Sequence, residues 1–188
     1  MRLLALDTET TGLDPRSDRW IEVGAVEAVV GGDDVDVGCF SSLIACPRPL
    51  PVAVRGLTGI DERSLLVAPA EGQVVELVAR ALSRVDAVVC WNATFDRSFV
   101  VAAFERSGRA FPLVPWWCAL ELARKRRPEL PRHRLVDVAA LMGIESGRSH
   151  RALDDARTTL GIWRALQPRD AATPDPAPAS MGALALFR

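Results

Sequence analysis

The sequence predicts an α/β protein built on a mixed sheet, in which three antiparallel strands are followed by parallel strands and helices flank the sheet. A short apolar run and two segments rich in β-formers fill most of residues 2–45. Beyond them, segments with apolar residues at helical spacing alternate with another short apolar run. Strands first, then strands alternating with helices, are typical of this fold class.

The first three predicted strands follow one another closely. Residues 2–6 form an apolar run that ends at Asp7, which is typical of a buried strand. Residues 21–30 and 35–45 are rich in β-formers, and the Gly-Gly-Asp-Asp sequence at 31–34 predicts a hairpin between them. We therefore expect three antiparallel strands here.

The remaining predicted elements alternate between helix and strand. Three prolines at 47, 49 and 51 predict a loop. The apolar spacing predicts a helix over 70–83 and a strand over 87–90. Later helices are predicted over 96–107, over 135–142, and from a Ser149 cap to about residue 166.

Composition divides the chain into three parts. Residues 1–167 are predicted to form one folded domain with its own core. Residues 168–180 contain four prolines among small and polar residues, which predicts an extended linker. Residues 181–188 form a short apolar peptide after that linker.

Bulk properties argue against some function classes. A net charge of −1 and a pI near 6.1 count against tight nonspecific binding to a nucleic-acid duplex. The apolar runs are too short to cross a bilayer and no signal peptide is predicted, so no membrane partner is expected. The four cysteines form no CxxC pair, which favours free thiols in a cytoplasmic protein.

Two acids follow the first predicted strand. Asp7 and Glu9 point to the same side of an extended chain, because side chains alternate along a strand. Turn or cap acceptors are the alternative, but two neighbouring acids repel each other unless a cation lies between them. We therefore expect Asp7 and Glu9 to bind a metal ion.

A third acid, Asp96, follows Asn92-Ala93-Thr94-Phe95 after the predicted strand 87–90. A lone Asp at the start of a helix is commonly there because the helix dipole favours it. Here the acid follows a strand end, where side chains meet at a crevice in such sheets. Asn92 could hold the turn or the groups that orient the metal ligands, and Trp91 is interpreted as a core residue or a surface on which a base stacks.

The last motif is His150-Arg151-Ala152-Leu153-Asp154-Asp155. A histidine titrates near neutrality and suits a general base, although surface capping is the alternative for a lone histidine. Asp154 and Asp155 point roughly 100° apart around a helix, so only one should face the site. We choose Asp155. Together, four carboxylates and one histidine are the equipment of two-metal phosphodiester hydrolysis.

These three patterns resemble the motifs of the DEDDh 3′–5′ exonucleases, a family that includes the proofreading epsilon subunit of bacterial DNA polymerase III. The resemblance extends over nearly all of residues 2–166, and segments 21–25 and 56–60 also look like family segments. It implies a ribonuclease H-like fold. It further implies two Mg²⁺ or Mn²⁺ ions held by four carboxylates, those of Asp7, Glu9, Asp96 and Asp155.

The same resemblance implies roles for other residues. His150 would deprotonate the attacking water, and nucleoside 5′-monophosphates would leave from the 3′ end. The Thr10 backbone and Leu13 would engage the 3′ terminal nucleotide, although a core leucine is an equal alternative for Leu13. Among basic residues, Arg126 and Arg127 would track phosphates if they line the approach to the site, and a solvated loop is the alternative.

The C-terminal peptide has its own resemblance. Leu184-x-Leu186-Phe187 resembles the peptides by which bacterial replication and repair proteins bind the sliding clamp, although Met181 stands where those usually begin with Gln. The alternatives are a tail that folds back on its own domain and a disordered tail. A sliding clamp or a DNA polymerase subunit is therefore an expected partner, beside the 3′ end of a nucleic acid.

Several functions compete at this stage. The leading hypothesis is an exonuclease acting on single-stranded DNA 3′ ends in proofreading or repair. An enzyme that trims RNA 3′ ends or degrades oligoribonucleotides is the alternative, since the 2′-OH is sensed by surrounding contacts. An aspartyl phosphatase would leave Asp96 and His150 without roles. A non-catalytic module that tethers nucleic acid and clamp is the remaining hypothesis.

Overall fold

The computed structural model describes residues 1–31 and 34–167. Its strands are β1 (Arg2–Thr10), β2 (Trp20–Val29), β3 (Val35–Leu43), β4 (Ala87–Cys90) and β5 (Trp116–Cys118). Its helices are α1 (Val52–Thr58), α2 (Glu62–Leu66), α3 (Glu71–Leu82), α4 (Ala93–Arg106), α5 (Ala119–Arg126), α6 (Leu135–Leu141) and α7 (Ala152–Leu166).

The five strands form one sheet in the order β3-β2-β1-β4-β5. Strands β1, β2 and β3 pair antiparallel, whereas β4 pairs parallel with β1 and β5 pairs parallel with β4. The predicted fold class is therefore confirmed. Strand β1 lies at the centre of the sheet, with its carboxyl end at the same edge as the carboxyl ends of β4 and β5.

Helices cover both faces of the sheet, and each face has its own core. On one face α3 and α4 pack against Leu4 and Leu6 of β1, around the buried rings of Phe99 and Phe104. On the other face α5, α6 and α7 pack against Leu3 and Ala5 of the same strand. The alternation of side chains along β1 thus supplies both cores from one strand.

Three helices were not predicted from the sequence. Helices α1, α2 and α5 are five to eight residues long, and they lie where prolines or a basic cluster obscure the apolar period. Helix α5 includes Arg126, for which a solvated loop was the alternative, and ends before Arg127. Strand β1 also continues past the predicted end at residue 6, because Asp7 through Thr10 stay paired with β2.

Two predicted helix starts are wrong. Helix α4 begins at Ala93, so that Asp96 lies in its first turn instead of opening it. Helix α7 begins at Ala152 and not after a Ser149 cap; the residue before it is Arg151, which makes no side-chain cap. The carboxylate of Glu22 on β2 accepts a hydrogen bond from the Ala152 N–H at 3.2 Å instead.

The remaining predictions concern the C-terminal segments, membrane spans and the cysteines. The predicted linker over 168–180 and the apolar peptide over 181–188 lie outside the described residues. Within the described ranges, no helix is long and apolar enough to cross a membrane. The four cysteines are free, three of them buried and Cys39 exposed.

Candidate metal centre

Strand β1 changes character on the face that α7 covers. Its side chains on this face are first apolar, at Leu3 and Ala5, and then acidic, at Asp7 and Glu9. On the partner strand β2, Gly24 lies opposite Asp7 and the acidic Glu22 lies opposite Glu9. The core of this face therefore ends in an acidic patch at the carboxyl end of β1.

Asp96 approaches the same strand end from the other face. Its Oδ1 accepts hydrogen bonds from the Thr8 N–H at 3.0 Å and the Thr8 hydroxyl at 2.8 Å. Thr8 lies between the two acids of β1 and points to the α4 face, so it draws Asp96 against the strand. The side chain of Asp96 is only 3% exposed.

His150 and Asp155 complete the group from α7 and the residues just before it. The backbone N–H of His150 donates to Asp155 Oδ2 at 2.9 Å, and His150 has a left-handed backbone with φ of 60°. One potential ligand atom each from Glu9, His150 and Asp155 lie within 4.8 Å of one another. His150 is exposed, whereas Glu9 is buried and Asp155 is half-buried. These three residues could share one metal ion.

The acids of this site have raised pKa values, because they are buried close together with little positive charge beside them. Burial, followed by repulsion from Asp96 and Glu9, raises the pKa of Asp7 well above its usual value. Burial and the charges of Asp155 and Glu22 raise the pKa of Glu9 to about 8. Burial raises the pKa of Asp96 to about 7 despite the opposing hydrogen bonds from Thr8. The pKa of Asp155 is raised as well, mainly by burial.

A divalent cation would relieve this repulsion, and the donor set suits one. Carboxylate oxygens are the ligands that Mg²⁺ and Mn²⁺ prefer. Within the described chain, Asp7 and Glu9 accept no hydrogen bond from another residue through their carboxylates, whereas Asp96 and Asp155 do. The residues present therefore fit hard divalent cations, and Asp7 and Glu9 have carboxylate oxygens available to bind them.

Asp154 is oriented differently from its neighbour. Its Oδ2 accepts a hydrogen bond from the Arg148 N–H at 3.0 Å, and its Oδ1 lies 3.6 Å from a guanidinium nitrogen of Arg157. Its carboxylate also lies against Gly147. Asp154 thus orders the loop before α7, while Asp155 lies among the acids of the site.

The predicted substrate-binding residues are scattered. Leu13 is 83% exposed in the loop after β1, so the core alternative for it is wrong. The Thr10 hydroxyl donates to the Gly12 carbonyl at 2.6 Å within the same loop. Exposed Asn92 precedes α4, and half-buried Trp91 packs against the core under α5 and α7.

Arg126 is the last residue of α5, and Arg127 follows it directly. Helix α5 begins directly after β5, at the same edge as the acids, and runs back along the sheet. Its eight residues have a length of about 12 Å, and both arginines are at its far end. The guanidinium of Arg127 is paired with Glu129 at 2.5 Å. A contact of Arg126 and Arg127 with phosphates stays a prediction.

The sequence did not identify three residues that lie beside the site. Glu22 is 1% exposed and pairs with Arg151, while Gly24 provides the space in which α7 begins. A Cβ on Gly24 would lie 2.1 Å from the backbone nitrogen of Leu153. The available signal was an acid inside the otherwise apolar strand segment 20–26, where a buried charge requires a partner.

Comparison with known proteins agrees with this geometry. Residues 4–163 match the RNase_T exonuclease family model. The chain is 34% identical over 156 residues to a PolC-type DNA polymerase III of Bacillus cereus, covering 83% of this chain but only 11% of that protein. It is 32% identical over 164 residues to the DNA polymerase III subunit epsilon of Treponema pallidum, covering 85% of this chain and 73% of that protein.

A solved structure supports the fold. Exonuclease I of E. coli, in complex with a dT13 oligonucleotide, superposes with a TM-score of 0.77 at 19% identity. The match covers 88% of this chain and 40% of that one. The shared architecture is the mixed sheet flanked by helices.

Proposed function

The chain belongs to the RNase_T exonuclease family, and from that premise we propose that it is a divalent-metal-dependent 3′–5′ exonuclease acting on DNA. It releases nucleoside 5′-monophosphates one at a time, in proofreading or repair. The observation that carries this proposal is the convergence of Asp7, Glu9, Asp96 and Asp155 at one strand end, with His150 beside them.

Hydrolysis of a phosphodiester requires a nucleophile, a proton acceptor and stabilisation of the leaving oxygen. Two divalent cations, when bound, supply the positive charge that stabilises the attacking and leaving oxygens. Asp7, Glu9, Asp96 and Asp155 would hold them. Thr8 fixes the orientation of Asp96 through two hydrogen bonds, so this carboxylate is preorganised before any cation arrives.

His150 is placed to accept a proton. Its side chain is exposed, at the mouth of the acid cluster, where a water molecule and the substrate can both reach it. A general base must lie within hydrogen-bond reach of the proton it removes. A ring nitrogen of His150 lies within 4.8 Å of carboxylate oxygens of Glu9 and Asp155, and the His150 N–H donates to Asp155 Oδ2 at 2.9 Å.

The loop after β1 would recognise the 3′ end of the nucleic acid. Leu13 projects into solvent in that loop, close in sequence to the acids of β1. An exposed leucine beside a cleft can pack against the face of a terminal base. We assign the engagement of the 3′ terminal nucleotide to Leu13 and the Thr10 backbone, and further substrate contacts to Trp91 and Asn92, which follow β4.

The names of the related proteins favour DNA. Two relatives are named as DNA polymerase III components, and the superposed exonuclease I carries a DNA oligonucleotide. The chain spans about a tenth of the PolC-type protein, so a polymerase partner belongs to this proposal. Cleavage of RNA 3′ ends is the alternative, because the same carboxylates and histidine would serve both substrates.

The test uses matched single-stranded DNA and RNA oligonucleotides, labelled at the 5′ end and incubated with Mg²⁺, with Mn²⁺ or with EDTA. We expect a ladder that shortens from the 3′ end, depends on the metal and forms faster on DNA. Faster cleavage of RNA would select the alternative. An absence of cleavage on both would leave the non-catalytic tethering module, whose proposed clamp-binding peptide lies outside the described residues.

A further inference from the structure

A fifth carboxylate lies inside the acid cluster without being one of the proposed ligands. Glu22 of β2 is directly opposite Glu9 of β1 and faces the same side of the sheet. Like charges in directly opposed positions of an antiparallel pair are destabilising. Glu22 is also 1% exposed, so its charge must be balanced by protein groups.

Arg151 supplies that balance. Its Nη2 donates to Glu22 Oε1 at 2.8 Å, and its Nε lies 3.2 Å from both carboxylate oxygens. The N–H of Ala152, the first residue of α7, donates to Glu22 Oε2 at 3.2 Å. Glu22 is thus satisfied by the protein itself, in contrast to Glu9 opposite it.

Arg151 of this ion pair is connected to both His150 and Asp155. Arg151 directly follows His150, and its carbonyl accepts the hydrogen bond of the Asp155 N–H at 3.0 Å. Any movement of Arg151 therefore moves both His150 and the first turn that carries Asp155. The ion pair of Glu22 and Arg151 ties the start of α7 to β2 at this level of the sheet.

We propose that Glu22 and Arg151 are positioning residues that set Asp155 against Glu9 at the spacing a divalent cation requires and hold His150 beside them. This inference rests on the proposed function of the same site. With Glu22 in place, the guanidinium is directed to Glu22 and leaves the Glu9 carboxylate available for a cation.

The variants are Glu22→Gln, Arg151→Gln and the double variant. Glu27→Gln is the matched control, because Glu27 lies on the same strand but pairs with a different arginine. The distance from Glu27 Oε1 to Arg2 Nη1 is 2.9 Å. The measurements are Mn²⁺ affinity by calorimetry without substrate, and kcat and KM for a single-stranded oligonucleotide. Arg151 is 38% exposed, so Arg151→Gln should fold even if the buried change does not.

We expect both single variants to lose about 10–100-fold in Mn²⁺ affinity and in kcat, as groups that orient metal ligands do. KM for the oligonucleotide should stay close to that of the parent. The double variant should be no worse than the more severe single variant, because the two residues act as one unit. Arg151→Lys should restore only part of the loss, because an ammonium lacks the planar fork.

The inference would be overturned by variants that match Glu27→Gln in Mn²⁺ affinity and kcat, or by losses that add in the double variant. A rise in KM alone would also contradict it, since that would place Arg151 on the substrate. If the parent binds Mn²⁺ and the variants lose that affinity, yet no oligonucleotide is cut, the proposed function fails while the positioning role stands.

Discussion

The two halves of the acid site are built in different ways. Asp7 and Glu9 lie within the central strand, where pairing with β2 fixes the backbone. His150 lies just before α7, exposed and in a left-handed conformation, and its placement depends on single side-chain contacts. The strand half is therefore set by the sheet, and the helix half by hydrogen bonds and one ion pair.

This difference predicts how each half responds to change. Substitution of an acid on β1 should leave the backbone in place and remove only charge, so its effect should fall on metal binding. Substitutions around α7 should move groups relative to one another, so they should change rate and metal affinity by intermediate amounts. Four changes test this contrast, from the largest expected effect to the smallest.

The largest effect is expected from Asp7→Asn. Loss of this carboxylate should abolish Mn²⁺ binding and cleavage together, beyond the ~10–100-fold typical of residues that only orient ligands. The metal-free protein should be at least as stable as the parent, because one of several repelling acids is gone. Calorimetry, cleavage assays and thermal unfolding measure these effects.

The control for this change is Asp86→Asn, which alters an exposed acid bonded to the Arg2 N–H at the other end of β1. It should bind Mn²⁺ and cleave as the parent does. Substantial cleavage by Asp7→Asn would remove this residue from the proposed ligands.

His150→Ala should come next. Loss of a general base typically costs ~10²–10⁴-fold in rate. Mn²⁺ affinity should fall much less than in Asp7→Asn, because the carboxylates remain, and KM should be nearly unchanged. His133→Ala is the matched control, since His133 is the only other histidine of the sequence and contacts the Arg127 carbonyl at 3.1 Å. Equal rates for the two variants would contradict the role of His150.

Gly24→Ala tests the packing of α7. A Cβ at residue 24 would lie 2.1–2.4 Å from backbone atoms of Ala152 and Leu153, so α7 must shift. We expect a loss of roughly 1–3 kcal/mol in the free energy of unfolding, together with reduced kcat and Mn²⁺ affinity. Gly38→Ala on β3 is the control, because nothing lies within 4 Å of the position that a Cβ would take there. Similar effects of the two substitutions would argue against the close approach of α7.

The smallest effect on cleavage and metal binding is expected from a change of pH. The raised pKa values of Glu9, about 8, and Asp96, about 7, mean that these groups hold protons in the metal-free folded protein but not in the unfolded chain above about pH 5. The unfolding free energy of the metal-free protein should therefore fall as the pH rises from about 5 to about 8.

Metal binding should show the opposite trend, since cations bind the deprotonated groups. A fixed Mn²⁺ concentration should raise the melting temperature more above about pH 8 than near about pH 6, because fewer protons compete. A shift that does not change with pH would count against protonated carboxyls in the metal-free site.

The sequence was sufficient for the parts of the molecule that depend on local pattern. The alternation along β1 predicted that Asp7 and Glu9 share a face, and the strand-then-helix order predicted the mixed sheet. Leu13 was ambiguous because a leucine after a strand is as often core as exposed. Only the loop geometry settled its exposure.

The contacts between distant segments could not be predicted in this way. Glu22 and Arg151 are 129 residues apart, and their pairing depends on where α7 lies on the sheet. Ser149 is a residue type that often caps helices, yet the Glu22 carboxylate on β2 accepts the hydrogen bond from the Ala152 N–H. Helix α5 was not recognised in the sequence, so the position of Arg126 and Arg127 relative to the acids could not be predicted.

The most direct test of the account is a Mn²⁺ titration in which binding and cleavage of single-stranded DNA are measured on the same preparation, for the parent and for Asp7→Asn. The account predicts that the parent binds two Mn²⁺ ions, that 3′–5′ cleavage rises with their occupancy, and that Asp7→Asn loses both. Cleavage by the parent that persists in EDTA, or full cleavage by Asp7→Asn, would contradict it.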